Sequence, residues 1–132
     1  MDLTEKAREV FASDLFATKL AGISIDEVVT DYAKCSMRIT ENHLNAEGYI
    51  MGGAIFTLAD FTFAVAANSA FPVTVTLSSN INFLVGSKSP ILFAESHCDR
   101  RGSAICAFTT TVTDDKNNII ALVTSNGYRH LR

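Results

Sequence analysis

Asp60 is the only charged residue between Glu47 and Lys88, and it lies in the most apolar stretch of the chain, Gly52–Ala70. A carboxylate in such surroundings must find donors or take up a proton, because desolvation penalises its charged form. It is the first candidate for general-base or nucleophilic chemistry. Gly52 and Gly53 open the same stretch. They put bare backbone N–H groups at a helix N-terminus, where the dipole is positive and a developing oxyanion is stabilised. Asp60 lies roughly 10–12 Å further along, at 1.5 Å per residue. One carbonyl cannot meet both groups on one helix. If they act together, Gly52 belongs to one subunit and Asp60 to another, and antiparallel apposition of two such helices would achieve this. The spacing argues for a site shared across a dimer.

The element that carries both groups is hydrophobic all round, which is the mark of a buried helix. Thr57, Asp60 and Thr62 interrupt it too often for a membrane span. Before it, residues 3–16 predict a helix with Leu3, Ala7, Val10 and Phe11 on one stripe. Strands are predicted over 21–31 and 32–40, and a polar loop over 41–48 leads to the central helix. Beyond Pro72 the period changes to two. Val73, Val75, Leu77, Ser79, Ile81 and Phe83 are expected on one face of a strand, and Thr74, Thr76, Ser78, Asn80 and Asn82 on the other. The second set is short and uncharged, as suits a surface lining a cleft. Further strands are predicted over 91–98, 103–113 and 119–131. Asp99-Arg100-Arg101-Gly102 reads as a tight turn and 114–118 as a hairpin loop. An antiparallel sheet curled round one long apolar helix is the economical α+β solution. Its open edges predict pairing with a second copy.

The global numbers narrow the functional classes. A chain of 132 residues, 48% apolar and 19% charged, suits one domain over 1–132 with a core that needs neither disulfides nor metal. A formal charge of −3 leaves no footprint for nucleic acid, and no Lys/Arg run suggests a membrane surface. Cys35, Cys98 and Cys106 form no CxxC pair, which fits a reduced, cytoplasmic setting, and the charged N-terminus is not a secretory signal. His43, His97 and His130 have no metal-ligand spacing, so no metal or other cofactor is expected.

The run Asn45 to Asp60, N-A-E-G-Y-I-M-G-G-A-I-F-T-L-A-D, resembles the signature of the hotdog-fold acyl-CoA thioesterases of the PaaI-like, phenylacetate-pathway type. Asn45, Gly48, Gly52, Gly53 and Asp60 stand at that family's spacing. The later N-I-N-F-L, Asn80 to Leu84, and the R-R-G-S turn also fall where the family has a strand and a phosphate-contacting turn. The resemblance implies a hotdog fold, a homodimer or homotetramer, and an acyl-CoA substrate bound at the dimer interface. It implies that Asp60 acts on the thioester as general base or nucleophile and that the Gly52 N–H polarises the carbonyl. Asn45 would position water or substrate, and Thr76, with Ser78 as the alternative, would assist Asp60. Met51 and Gly53 would border the substrate, and Arg100, Arg101 and Ser103 would meet the phosphates of coenzyme A.

One departure matters. Where the resembling enzymes carry histidine this chain has Met51, whose thioether donates no hydrogen bond. Attenuated hydrolysis is the expectation, and a non-catalytic acyl-CoA-binding or scaffold protein is the rival. A hotdog dehydratase is disfavoured because the helix offers no His/Glu pair. The site residues have structural alternatives as well. Asp60 would serve as a loop-capping carboxylate, Gly52 and Gly53 as aids to a tight turn, and Asn45 as an ordinary loop residue.

Overall fold

The computed structural model describes residues 1–70 and 73–129. Its central element is α2, Gly52–Ala67, whose side chains Leu58, Phe63, Val65, Ala66 and Ala67 are all buried. Helix α2 touches all six strands, so the sheet wraps round it. The strands are β1 (Ile23–Val29), β2 (Tyr32–Arg38), β3 (Thr74–Phe83), β4 (Ile91–Arg101), β5 (Ile105–Thr113) and β6 (Ile119–Arg129). They run antiparallel in the order β1-β2-β4-β5-β6-β3. This is the curled antiparallel sheet expected from the period-two pattern. The core lies between helix and sheet, where Phe63 meets Phe108 edge-on at 5.3 Å beside Met37, Leu58 and Leu92.

Helix α1 spans Leu3–Phe11, with Asp2 as N-cap accepting the Glu5 N–H at 2.8 Å. It stops five residues before the expected end. After Ala12 the chain rewinds into a π-helical turn, Phe16–Leu20. Phe11 anchors α1 by packing edge-on against Phe61 of α2 at 5.5 Å, whereas Val10 is exposed. Thr4 and Arg8 bond the backbone of β1 at Val28 and Ile25.

Two strand expectations are corrected. Asp99-Arg100-Arg101-Gly102 is not a tight turn, because β4 continues to Arg101 with a bulge at Asp99, and the chain reverses at Gly102–Ala104. A Cβ on Gly102 would sit 2.2 Å from the Ile105 carbonyl oxygen, so this reversal requires glycine. In β3 the register slips between Thr76 and Ser78, leaving Leu77 unpaired in a bulge. A one-residue insertion reverses the side-chain alternation. Thr74 and Thr76, opposite Arg129 and Gly127, therefore share the helix-facing side with Ser79 and Ile81, opposite Ser125 and Val123. Ser78, Asn80 and Asn82 face outward with Val75. The predicted uniform polar face does not exist.

The expected strand end at Leu131, His130 and the Phe71–Pro72 step lie outside the described residues. Among the described residues no helix is long and apolar enough to cross a membrane.

Candidate functional site

Residues 45–50 form a closed loop whose organiser is Asn45. Its Oδ1 accepts the N–H groups of Glu47 and Tyr49 at 2.9 and 3.1 Å, and its own N–H donates to the Tyr49 carbonyl at 2.7 Å. Gly48, at φ +84°, supplies the left-handed turn that this closure needs. With Oδ1 committed twice, the amide orientation is fixed and Nδ2 donates to no described residue. Asn45 thus organises the loop through Oδ1 and keeps its Nδ2 amide group uncommitted among the described residues.

The loop delivers the chain to Met51, the N-cap of α2, whose side chain makes no capping bond. Ala54 and Ile55 donate to the Met51 carbonyl at 3.0 and 3.1 Å, but the Gly52 and Gly53 N–H groups find no acceptor among the described residues. Two unpaired amides at the positive end of a 16-residue helix favour negative charge. Gly52 and Asn45 line one cleft of about 600 Å³ with Tyr49, Phe83, Leu84 and Val85. These last three exposed apolar side chains leave β3 at the rim. The sequence reading missed them as cleft residues, although the F-L-V run ahead of Gly86 was a signal.

Asp60 lies two turns along α2, in neither this cleft nor the buried face. Its carboxyl is half-buried and accepts no hydrogen bond from a described residue. Burial, with the nearby negative charge of Asp14 as a smaller cause, holds its pKa above the usual carboxylate value. Among the described residues Asp60 caps no loop or helix end. The eight-residue separation from Gly52 persists on a regular helix, so one subunit does not bring these two groups together.

The remaining expected residues disperse. Thr76 is on the helix-facing side of edge strand β3, while Ser78 points away from it. Arg101 donates from Nε to Asp31 Oδ2 at 2.7 Å, and Arg129 pairs with Asp31 Oδ1 at 3.1 Å. Asp31 also donates its N–H to Ser69, just beyond the C-terminal end of α2. Arg101 therefore sits about 24 Å of helix away from Gly52 within one subunit. Arg100 and Ser103 are exposed at the same end. Met51 and Gly53 border a second cleft, on the open face of α2.

His43 is buried, and both ring nitrogens are engaged. Nδ1 accepts the Thr40 N–H at 3.0 Å, which leaves the proton on Nε2, bonded to the Ala21 carbonyl at 2.7 Å. A ring bonded at both nitrogens keeps no donor or acceptor for a substrate carbonyl. Burial pushes the Cys35 thiol up to about 12 and raises Cys98 as well, which removes both as ready nucleophiles. Among the described residues no group of His, Cys, Asp and Glu has the geometry to hold a metal ion.

The thioesterase superfamily matches the sequence over residues 47–121, more than half of the chain and including both Gly52 and Asp60. The chain belongs to this family. It is similar to the acyl-coenzyme A thioesterase PaaI of Escherichia coli, with 27% identity over 126 residues, 95% of this chain and 89% of that one. Its structure superposes on that of E. coli PaaI with a TM-score of 0.90 at 25% identity, covering 98% and 97% of the two chains. A hypothetical thioesterase protein of Streptococcus pneumoniae, solved with coenzyme A, has the same fold at a TM-score of 0.84 and 22% identity, covering 91% and 96%. The fold is the PaaI-like hotdog.

Proposed function

We propose that this protein hydrolyses acyl-CoA thioesters at a site shared between two subunits. The observation that carries the reading is Asp60: a half-buried carboxylate that, among the described residues, has no hydrogen-bond partner, on a helix whose first two amides likewise find no acceptor there. A partly desolvated carboxylate without a paired donor costs stability, so its retention points to a task. Asp60 either activates water or attacks the thioester carbon. In both cases negative charge grows on the carbonyl oxygen, and the Gly52 N–H of the other subunit receives it. Asn45 Nδ2 steers water or substrate in that subunit's cleft, and Thr76, on the helix-facing side, assists Asp60. The leaving group is a thiolate, with a pKa near ~8.5 for a cysteine-like thiol, so little general acid is needed.

Antiparallel apposition of two α2 helices brings one Asp60 toward the other's Gly52. It also carries the Arg100, Arg101 and Ser103 end of one subunit toward the other's cleft, where phosphates of coenzyme A would meet it. A homodimer is thus the minimal active unit.

Met51 favours one other reading, since its exposed thioether adds no donor beside the amides. In that reading the protein binds acyl-CoA without turning it over. Thiol release from an acyl-CoA panel separates the two. Asp60→Asn should cost about 10²–10⁴-fold in rate. Co-expressing Asp60→Asn subunits with Gly52→Pro subunits should restore activity, because each mixed dimer then holds one intact site. Parental turnover in Asp60→Asn, or no recovery in the mixed dimers, would refute the shared site.

A further inference from the structure

A second cleft, of about 440 Å³, runs along the open face of α2 between Met51 and Thr57. Its outer wall is the π-helical turn, through Phe16 and Leu20. Phe16 is 64% exposed, Leu20 75% and Met51 56%. Large apolar side chains scattered singly on a surface need no explanation, but three that converge on one concavity do. The turn bearing two of them is held from both sides. The Ala21 N–H closes it onto the Phe16 carbonyl at 2.9 Å, and the Ala21 carbonyl accepts the buried His43 Nε2–H at 2.7 Å. His43 is thereby a positioning residue that pins the wall to the loop before α2.

Of the polar side chains that line this cleft, Thr57 and His43 are occupied, and the Asn42 amide is uncommitted among the described residues. Thr57 Oγ1 donates to the Gly53 carbonyl at 2.8 Å, and the His43 ring is engaged at both nitrogens. No Asp, Glu, Lys or Arg lines it. Its inner end is Gly53, one of the two unpaired amides, and its far end is Thr57, one turn before Asp60. A thioester carbonyl held at those amides would find this trough beside it.

We infer that Phe16, Leu20 and Met51 wall the acyl-group site, and that the acyl groups it selects are apolar, uncharged and longer than acetyl. The inference rests on the thioesterase reading for its occupant. It assigns Met51 a purpose: where a donor is absent, the side chain supplies apolar contact to the acyl group. The charge of Asp14, just ahead of the turn and felt at Asp60, adds a reason for carboxylated acyl groups to be rejected.

The test compares hexanoyl-CoA, acetyl-CoA and succinyl-CoA as substrates, and S-hexyl-CoA, a thioether that cannot be hydrolysed, with free CoA as ligands. The parent should prefer hexanoyl-CoA in kcat/KM and bind S-hexyl-CoA more tightly than CoA. In Phe16→Ala/Leu20→Ala, whose replaced side chains are exposed, both preferences should fall by about tenfold or more, since apolar pocket contacts discriminate by 10–200-fold. Leu20→Lys should shift the ratio of succinyl-CoA to hexanoyl-CoA upward. If the parent hydrolyses acyl-CoAs and the double variant keeps the chain-length preference, the acyl-site assignment fails while the thioesterase reading stands. If the parent hydrolyses nothing but binds S-hexyl-CoA through Phe16 and Leu20, the assignment stands and the hydrolase reading fails. If the double variant changes only the oligomeric state in light scattering, the patch is a contact between copies and the assignment is overturned.

Discussion

Gly52→Pro removes the proposed oxyanion donor with little disturbance to the fold. Gly52 is the first residue of α2, a position where proline is favoured because its missing N–H has no intrahelical partner. Here that N–H has no acceptor at all among the described residues, so no hydrogen bond is lost. Proline also demands an extended predecessor, and Met51 already has φ −65° and ψ 139°. The added Cβ meets the Phe83 ring at 3.2 Å, and that ring is exposed at the sheet edge and can give way. Thermal unfolding should therefore move little. Turnover should not survive as well, since deleting one oxyanion donor costs about 10²–10³ in kcat, or roughly 2.7–4 kcal/mol. Gly52→Ala is the matched control, because it makes the same contact with Phe83 and keeps the N–H. Steady-state thiol release on a good acyl-CoA should show kcat for proline far below that for alanine. Loss confined to KM would mean that the proline ring merely blocks the cleft. Equal kcat in the two variants would refute the donor.

Three other outcomes follow from the same geometry. Asp60→Asn should unfold at or above the parental temperature at neutral pH. A carboxylate whose folded pKa is raised costs stability above its unfolded pKa, so the gap should narrow as pH falls through the raised folded pKa and be gone below about 3.9; a destabilised variant at pH 7 would make Asp60 structural. Asp14→Asn removes the like charge beside Asp60, so the acid limb of the kcat/KM profile should move to lower pH while desolvation keeps part of the shift; an unmoved limb would separate the two carboxylates. Gly127→Ala would drive a Cβ to 2.8 Å from Thr74 Cγ2 and 3.2 Å from Phe63 Cζ. Overpacking of about 1–3 kcal/mol should lower Tm by about 4–10 °C in calorimetry, and an unchanged Tm would mean that Phe63 does not rest on β6.

The fold was legible where one physical cause dominates. Apolar residues on every side of 52–67 announce a buried helix, and alternation announces the strands. It was less legible where a tertiary partner overrides a local pattern. Asp99-Arg100-Arg101-Gly102 has the composition of a turn, yet Arg101 stays in strand β4, paired with Asp31 of the β1–β2 hairpin. The Leu77 bulge has no glycine or proline to mark it, so the period-two reading ran on through Phe83 and put Thr76 and Ser78 on one face. In the site, the lone charge at Asp60 and the glycine pair were visible because they break an otherwise apolar run. The convergence of Phe16 and Leu20 on Met51 was not, since it depends on a long-range bond from His43, 22 residues on from Ala21, that no local pattern announces.

Helix α2 begins and proceeds against local stability. Its N-cap is a methionine without a capping bond, and among the described residues its first two amides find no acceptor and its one carboxylate no donor. Local rules broken together at one place mark a functional site more clearly than any one of them alone. Met51→Asp tests this directly. Aspartate at an N-cap accepts an N–H from the second or third helical residue, here Gly53 or Ala54, and its charge suits the helix dipole. The variant should gain about 0.5–2 kcal/mol in denaturant unfolding. The same carboxylate would occupy the position proposed for the oxyanion, so thioester hydrolysis should collapse while the fold tightens. A variant that is more stable and equally active would show that the amides at the start of α2 are spare, and the catalytic account built on them would fall.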